Sequence, residues 1–392
     1  MSLVAVDLGA SSSRYCSDSG IISVLPNNMV FLPNMETSDI QTDTTDIEST
    51  LEVKIEKTNG NNDNEYFPAN VLVGIMAEKH RSTDERPSVN AHKHAQRINY
   101  ISAVLAVAVS KIKYNLTDPI DLYLATPPIE IKQASEAFKT GLVGQYRVTF
   151  PKFNGGTTVE FTIEDVSCSE EALMASTSFF FNSNGAPKED NKKYLTGTIL
   201  SLDIGASTTD LAIIKSGRYL DKSGQTYRIG GNVARDNLIE QVCGRYAIDL
   251  PIPDAEKAMS EGRLQLGNTY DDVSDLVNLA KAELAKQLTQ NMPTYFKRVE
   301  VPIQTINAIV VSGGGSMQSQ YINDNGEVVK TSEPMSYFVT KELTSWCRGT
   351  DIVEYGEEAR FANIKGLYIK AKFDSIRKAQ KKTEEVLKNG SV

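Results

Sequence analysis

Residues 198–215 read TILSLDIGASTTDLAIIK, a strand, a turn of small residues and a second strand. Ile199, Leu200 and Leu202 make an apolar strand that ends on an acid, Asp203. Gly205, Ala206 and Ser207 follow, small enough for a tight turn whose backbone N–H groups can approach a ligand. Thr208 and Thr209 add hydroxyl groups, and Leu211 to Ile214 lead away as a second apolar strand. The pattern predicts a β-hairpin with a carboxylate at one shoulder and an anion-binding tip.

The chain opens on the same device. Residues 4–13, VAVDLGASSS, align with residues 200–209, LSLDIGASTT, so that Gly9, Ala10, Ser11 and Ser12 match Gly205, Ala206, Ser207 and Thr208. One such run is ordinary turn chemistry. Two point to a duplicated unit whose copies face each other, clamping a triphosphate while Asp7 and Asp203 hold a hydrated Mg²⁺.

Two further stretches fit that chemistry. Ser169-Glu170-Glu171-Ala172 reads as a helix start with Ser169 as N-cap and acids in the first turn, leading into the second hairpin. A carboxylate there, Glu171 or its neighbour Glu170, is placed to orient the water that attacks a γ-phosphate. Residues 306–317, INAIVVSGGGSM, run from a buried strand into three glycines, a backbone able to lie flat against a planar ring or sugar. No G-K-[ST] follows, so this is not a Walker motif.

Composition sets the frame. The 392 residues are enough for two domains, and 40% hydrophobic with 23% charged residues is ordinary for a globular chain. A net charge of −9 argues against a direct, non-specific grip on nucleic acid. Cys16, Cys168, Cys243 and Cys347 are scattered without a C-x-x-C, as in a reduced compartment. The chain enters a strand at once, with no signal peptide, and its longest apolar stretch, Ile101–Val109, is too short to span a bilayer. A cytoplasmic protein is expected.

Elsewhere, residues 36–75 read as a small surface subdomain built on the alternating strand Leu51–Ile55. A long helix is expected from about Ala95 to Lys113. His80, His92 and His94 have no acid or cysteine at ligand spacing and are not expected to bind metal. Gly231 precedes a helix from about Val233 to Tyr246, and Pro253 opens another carrying Glu256, Lys257 and Arg263. The tail from Ile369 is basic and helical in pattern, and is expected to be a solvated or frayed end.

These motifs, in this order and at this spacing, resemble those of the superfamily of actins, heat-shock chaperones and sugar kinases. Asp7-Leu8-Gly9 is similar to its first phosphate motif, residues 203–210 (DIGASTTD) to its second, and Ser312–Met317 to its adenosine motif. The resemblance implies that Glu171 orients water, that Arg14 reaches a phosphate, and that Met317 packs on the base. Gly231, Glu256, Lys257, Gly313, Gly314 and Gly315 complete the candidate nucleotide contacts. Ala206 departs from the family, where a second glycine is common.

Within the superfamily the chain most resembles ParM-type bacterial actins, which segregate plasmids. The strand ending Ala125-Thr126-Pro127-Pro128 and the closing run 361–368 (FANIKGLY) carry this likeness. It implies an α/β actin-like fold of two RNase H-like domains around a central nucleotide cleft: domain I over 1–170 with 350–392, domain II over 171–349. It also implies filaments of this chain assembled with ATP (or GTP) and Mg²⁺, a DNA-binding adaptor of ParR type, no direct nucleic-acid binding and no membrane contact. The alternatives are a membrane-associated or other cytoskeletal bacterial actin and a small-molecule kinase of the same superfold.

Overall fold

Both copies of the repeat fold as antiparallel hairpins, each next to a parallel strand supplied from later in the chain. The structure, a computed structural model, describes residues 2–32, 46–49, 51–59, 66–80, 85–88, 91–343, 349–355 and 358–389. The chain divides into two units: Met1–Glu170 with Phe181–Ala186 and Ile364–Val392, and Glu171–Phe180 with Pro187–Asn363. The boundary expected at 349/350 therefore falls at 363/364, because the strand Asp351–Glu354 pairs in parallel with Ala308–Ser312 of the second unit.

In the first unit the strands are β1 (Ser2–Leu8), β2 (Ser12–Ser17), β3 (Ile22–Pro26), β4 (Met29–Phe31), β5 (Glu52–Asn59), β6 (Ala69–Val73), β7 (Ile120–Thr126), β8 (Gly144–Phe150) and β9 (Thr157–Glu170). Among the described residues they form one sheet in the order 3-2-1-7-9-8-5-6-4. β1, β7 and β9 run parallel. β1 and β7 are buried along their whole length, in keeping with the apolar runs Leu3–Val6 and Leu122–Ala125 at their centres. β8 alternates instead, burying Tyr146, Val148 and Phe150 while Gln145 and Arg147 face water.

Among the described residues, α1 (Ile75–Lys79), α2 (Arg97–Tyr114) and α3 (Ile131–Leu142) belong to this unit. α2 is buried from Ile98 to Ser110 on every side, and Asn115 ends it in the left-handed conformation. α3 buries only Ala134, Phe138 and Leu142, the i, i+4, i+8 stripe of a half-exposed helix. β5 and β6, from the stretch read as a surface subdomain, extend the main sheet through β8. The acidic part of that stretch, 36–45, and its tip at 60–64 lie outside the described residues.

The second unit contains α4 (Glu171–Phe180), β10 (Thr198–Ile204), β11 (Thr209–Lys215), β12 (Arg218–Tyr219), β13 (Gln225–Tyr227), α5 (Gly231–Tyr246), α6 (Ile252–Glu261), β14 (Arg263–Leu266), β15 (Thr269–Asp272), α7 (Ser274–Gln290), α8 (Met292–Arg298), β16 (Ala308–Ser312), β17 (Gln320–Ile322), β18 (Val328–Lys330), α9 (Met335–Leu343) and β19 (Asp351–Glu354). Its main sheet runs 12-11-10-16-19, with β13 also on β11. α10 (Ala362–Asn389) starts in this unit and continues in the first.

Several local expectations are corrected. Ser169 is not a helix cap, because β9 keeps parallel register with β7 as far as Glu170 and α4 starts at Glu171. Arg263 is not helical: Gly262 closes α6 in the left-handed region (φ 70°) and Arg263 opens a strand. The basic tail is not wholly solvated. Ile369 and Ala371 are buried, and Lys378 donates to both Asp121 (2.9 Å) and Asp165 (3.0 Å). His92 and His94 do have an acid partner, the buried Glu130, with Nδ1 atoms 3.4 and 3.0 Å from its Oε2; it arrives from a turn far along the chain. Among the described residues, no helix is long and apolar enough to cross a membrane.

Candidate functional site

The second hairpin organises its surroundings through its turn. Gly205 N–H donates to the Thr208 carbonyl (2.8 Å) and closes the tip. The first amides of α5 then donate to that tip: Gly231 N–H to Gly205 O (2.9 Å) and Asn232 N–H to Ala206 O (2.7 Å). Asn232 Nδ2 adds a bond to Ser207 Oγ (3.0 Å), and Thr209 Oγ1 donates to the Ile229 carbonyl (2.6 Å). The approach is close enough to dictate glycine at position 230, where a Cβ would lie 2.8 Å from both the Gly205 and Ala206 oxygens. From the other side comes the turn after β16. Gly313 takes φ +90°, and a Cβ there would collide with the Ile204 carbonyl and lie 2.7 Å from Asp203 Oδ1. Three segments separated in sequence are thereby locked around one tip.

Three carboxylates gather at the base of this tip. Glu171, Asp203 and Asp210 are all buried, and one carboxylate oxygen from each lies within 4.8 Å of the other two. Asp210 is there because β10 and β11 pair with Asp203 directly opposite it. Glu171 is there because α4 starts at it and packs on β10 and β11. Ser312 Oγ donates to Asp203 Oδ1 (3.2 Å), Asn363 Nδ2 to Asp203 Oδ2 (2.8 Å), and Thr226 Oγ1 to Asp210 Oδ1 (2.5 Å). Like charges at such a separation repel by about 3–4 kcal/mol per pair at an effective dielectric of 20. Donors, a shared proton or a cation relieve that repulsion, and clustered carboxylate oxygens are the donor set that suits a hard divalent ion such as Mg²⁺.

The first hairpin has different electrostatics. Asp7 is buried, and the residue across the register is Arg14, whose guanidinium lies 3.3 Å from its Oδ2. The turn Gly9–Ser12 is buttressed by Asn27, which is itself buried. Asn27 Nδ2 donates to Gly9 O (2.5 Å), its backbone N–H to Ser11 O (3.2 Å), and its Oδ1 accepts from Ser13 and Ser102. Ala10 and Ser12 are half-buried and Ser11 is exposed at the tip.

The structure thus brings together Glu171, Asp203, Gly205, Ala206, Ser207, Thr208, Gly231, Gly313 and Gly315 in one unit, and Asp7, Gly9, Ala10, Ser11, Ser12 and Arg14 in the other. Gly314 is exposed within the turn after β16, and Met317 is half-buried just beyond it. Glu256 and Lys257 are exposed on α6 and engage their own unit: Glu256 accepts from Arg235 (3.4 Å), and the Lys257 ammonium lies 5.5 Å from the centre of the Tyr270 ring. Asp210, Thr226, Asn363 and Asn27 are site residues beyond those expected, although Asp210 closes the run 203–210 and Asn363 lies in the run 361–368. Asp210 had a signal, since a four-residue turn must put it opposite Asp203.

No protein-family model and no curated protein sequence matches the chain. Solved structures do resemble it. The actin-like protein Alp7A superposes with TM-score 0.72 at 16% identity, over 98% of this chain and 99% of that one. The chain has the actin-like fold. An archaeal actin homologue, Ta0583 in complex with ADP, gives TM-score 0.65 at 14% identity over 95% of this chain and 99% of that one. Bacillus thuringiensis ParM with ATP gives 0.63 at 16% over 96% and 99%. At these identities the likeness is one of fold alone.

Proposed function

We propose that this actin-like protein is a Mg²⁺-dependent nucleoside triphosphatase that assembles into filaments of its own chain and acts in plasmid segregation. The observation that carries the catalytic part is the buried trio Glu171, Asp203 and Asp210 beneath a turn of small and hydroxyl residues. Such a site suits phosphoryl transfer, in which the protein mainly positions groups and stabilises charge. The turn residues 205–208, the start of α5 and Gly313–Gly315 bind the nucleotide, Met317 packs on its base, and Glu171 orients the attacking water. Asp7, Gly9, Ala10, Ser11, Ser12 and Arg14 carry the same turn chemistry in the first unit and suit a phosphate as well; Asp7 and Asp203 are each a motif carboxylate able to hold hydrated Mg²⁺. When bound, Mg²⁺ neutralises charge on the phosphates. ADP in the Ta0583 structure and ATP in the ParM structure support an adenine nucleotide for this chain.

Assembly and partners rest on resemblance. The similarity to Alp7A and ParM supports a self-assembling protein, and the net charge of −9 favours reaching DNA through an adaptor of ParR type over binding it directly. The test is to record light scattering and phosphate release together after adding Mg²⁺ with ATP, and then with GTP. Scattering above a critical concentration, with phosphate release following it, is the expected result. Hydrolysis without polymer would remove the filament reading, and the absence of both would remove the function.

A further inference from the structure

Lys281 of α7 is a buried lysine, only 2% exposed, that the motifs do not use. Its ammonium reaches four oxygens: the Met317 carbonyl (2.8 Å), Ser332 Oγ (2.8 Å), the Glu333 carbonyl (3.2 Å) and Ser319 Oγ (3.5 Å). Those groups are tied to one another. Ser332 Oγ donates to Ser319 Oγ (2.7 Å) and accepts from Ser319 N–H (3.0 Å), Ser319 Oγ donates to the Met259 carbonyl at the end of α6 (2.6 Å), and Gln318 Nε2 donates to the Ser332 carbonyl (2.7 Å). Ser319 and Ser332 are buried too. Burying a long, strongly hydrated ammonium is unfavourable unless its hydrogen bonds are well made, so the arrangement is a specific one.

What the knot holds is the segment 317–319, which leaves the Gly313–Ser316 turn with Met317 extended (φ −64°, ψ 145°). The close contacts of Gly313 fix the entry to that turn, while Gly314 and Gly315 have no side chains with which to hold its exit, so the position of Met317 needs an anchor in another segment. Lys281 supplies that anchor at the Met317 carbonyl itself. We infer that Lys281 is the positioning residue for the base half of the nucleotide, fixing the wall against which a purine lies. This rests on the nucleotide reading above. The phosphate-side residues are held by a different set of bonds, those of the 205–208 turn with α5, which do not pass through Lys281.

The division of labour gives the test. Purine and pyrimidine triphosphates share ribose and phosphates and differ only at the wall. Titration calorimetry with ATP, GTP and UTP, each with Mg²⁺, is carried out on the wild-type protein, on Lys281→Met and on Ser332→Ala. Lys281→Met is expected to weaken the better-bound purine about tenfold, and UTP no more than about twofold, the scale of one lost charge-assisted bond. Ser332→Ala, which removes one acceptor and keeps the lysine, is expected to lower the purine-to-UTP ratio in the same direction by about threefold, and decides the matter if Lys281→Met does not fold. A ratio unchanged in the variants, equal losses for all three ligands, or a wild-type protein that binds UTP as well as purines would overturn the inference and leave nucleotide binding intact. A wild-type protein that binds none of the three would instead refute the proposed function, and the inference with it.

Discussion

Replacing Asn363 by Asp changes one atom in the bond that holds Asp203, and its effect follows from the geometry. Asn363 Nδ2 donates to Asp203 Oδ2 at 2.8 Å. In Asn363→Asp a carboxylate oxygen takes the place of that donor. Two unit charges at this distance repel by about 6 kcal/mol at an effective dielectric of 20, and half-exposed Asn363 reduces this to about 3 kcal/mol through solvent screening. The lost bond to a charged acceptor adds about 1.5–3 kcal/mol, and the N-terminus of α10 returns up to about 1 kcal/mol to the new anion. The net destabilisation at neutral pH is therefore about 4 kcal/mol. Its pH dependence has a definite sign. The folded variant retains a proton between the two carboxylates that an unfolded carboxylic acid, with a pKa of about 3.9, has released. A folded-state pKa raised in this way means that the penalty is absent below about pH 4 and grows as the pH rises towards the folded value. The assay is urea unfolding of wild type and variant at pH 4 and pH 8 without divalent ions. A stability gap of the same size at both pH values would refute the placement of Asn363 against Asp203.

Other consequences are as direct. Glu171→Gln keeps shape and removes charge; phosphate release is expected to fall by about 10²–10³-fold while nucleotide affinity stays within about twofold, measured by phosphate assay and calorimetry. Gly313→Ala forces a side chain into the left-handed region and against the Ile204 carbonyl, and is expected to lower stability by at least about 2 kcal/mol in urea unfolding. Lys378→Met leaves the buried Asp121 without its cation; as Lys378 is 44% exposed, the expected loss is about 1–2 kcal/mol at pH 7. Burial pushes the Asp165 carboxyl up, but hydrogen bonds from Lys139 and Lys378 outweigh it and hold the group below its usual 3.8. The share of the Lys378 contribution that comes from Asp165 is thus present above that pH and fades as the pH falls through the folded value, so the gap between wild type and Lys378→Met is expected to narrow in acid.

What could be read from the sequence was whatever the chain keeps contiguous. The two hairpins, the glycine turn and Glu171 lie in short runs in which strand, turn and chemistry adjoin, so their residues could be named before any fold was known. Asn363 could not be placed against Asp203, because 160 residues separate them and the bond exists only once α10 starts beside β10. Asn27 and Lys281 were hidden for the same reason, each being a buried polar side chain whose partners lie in other segments. Ser169 misled because a hydroxyl before two acids is good capping chemistry, and only parallel pairing with β7 keeps it extended. Glu256 and Lys257 show the converse limit: charge on an amphipathic helix says nothing of which neighbour it will meet, here Arg235 and Tyr270.

The repeat also separates the roles of its two copies. Residues 4–13 align with 200–209, and one step further Arg14 aligns with Asp210. Both positions sit directly across the hairpin from the motif carboxylate. In the first copy Asp7 therefore meets a guanidinium at 3.3 Å and is compensated within the protein. In the second copy Asp203 meets another carboxylate, with Glu171 beside them. Two hairpins of one design thus differ by two units of charge at one position, and a divalent cation gains more at the second. Asp210→Asn is accordingly expected to weaken Mg²⁺ binding, read as the Mg²⁺ concentration that half-saturates the rise in thermal stability with ATP present, by more than Asp7→Asn does. The opposite ranking would show that the cation depends chiefly on Asp7, and that Arg14 releases this carboxylate when nucleotide is bound.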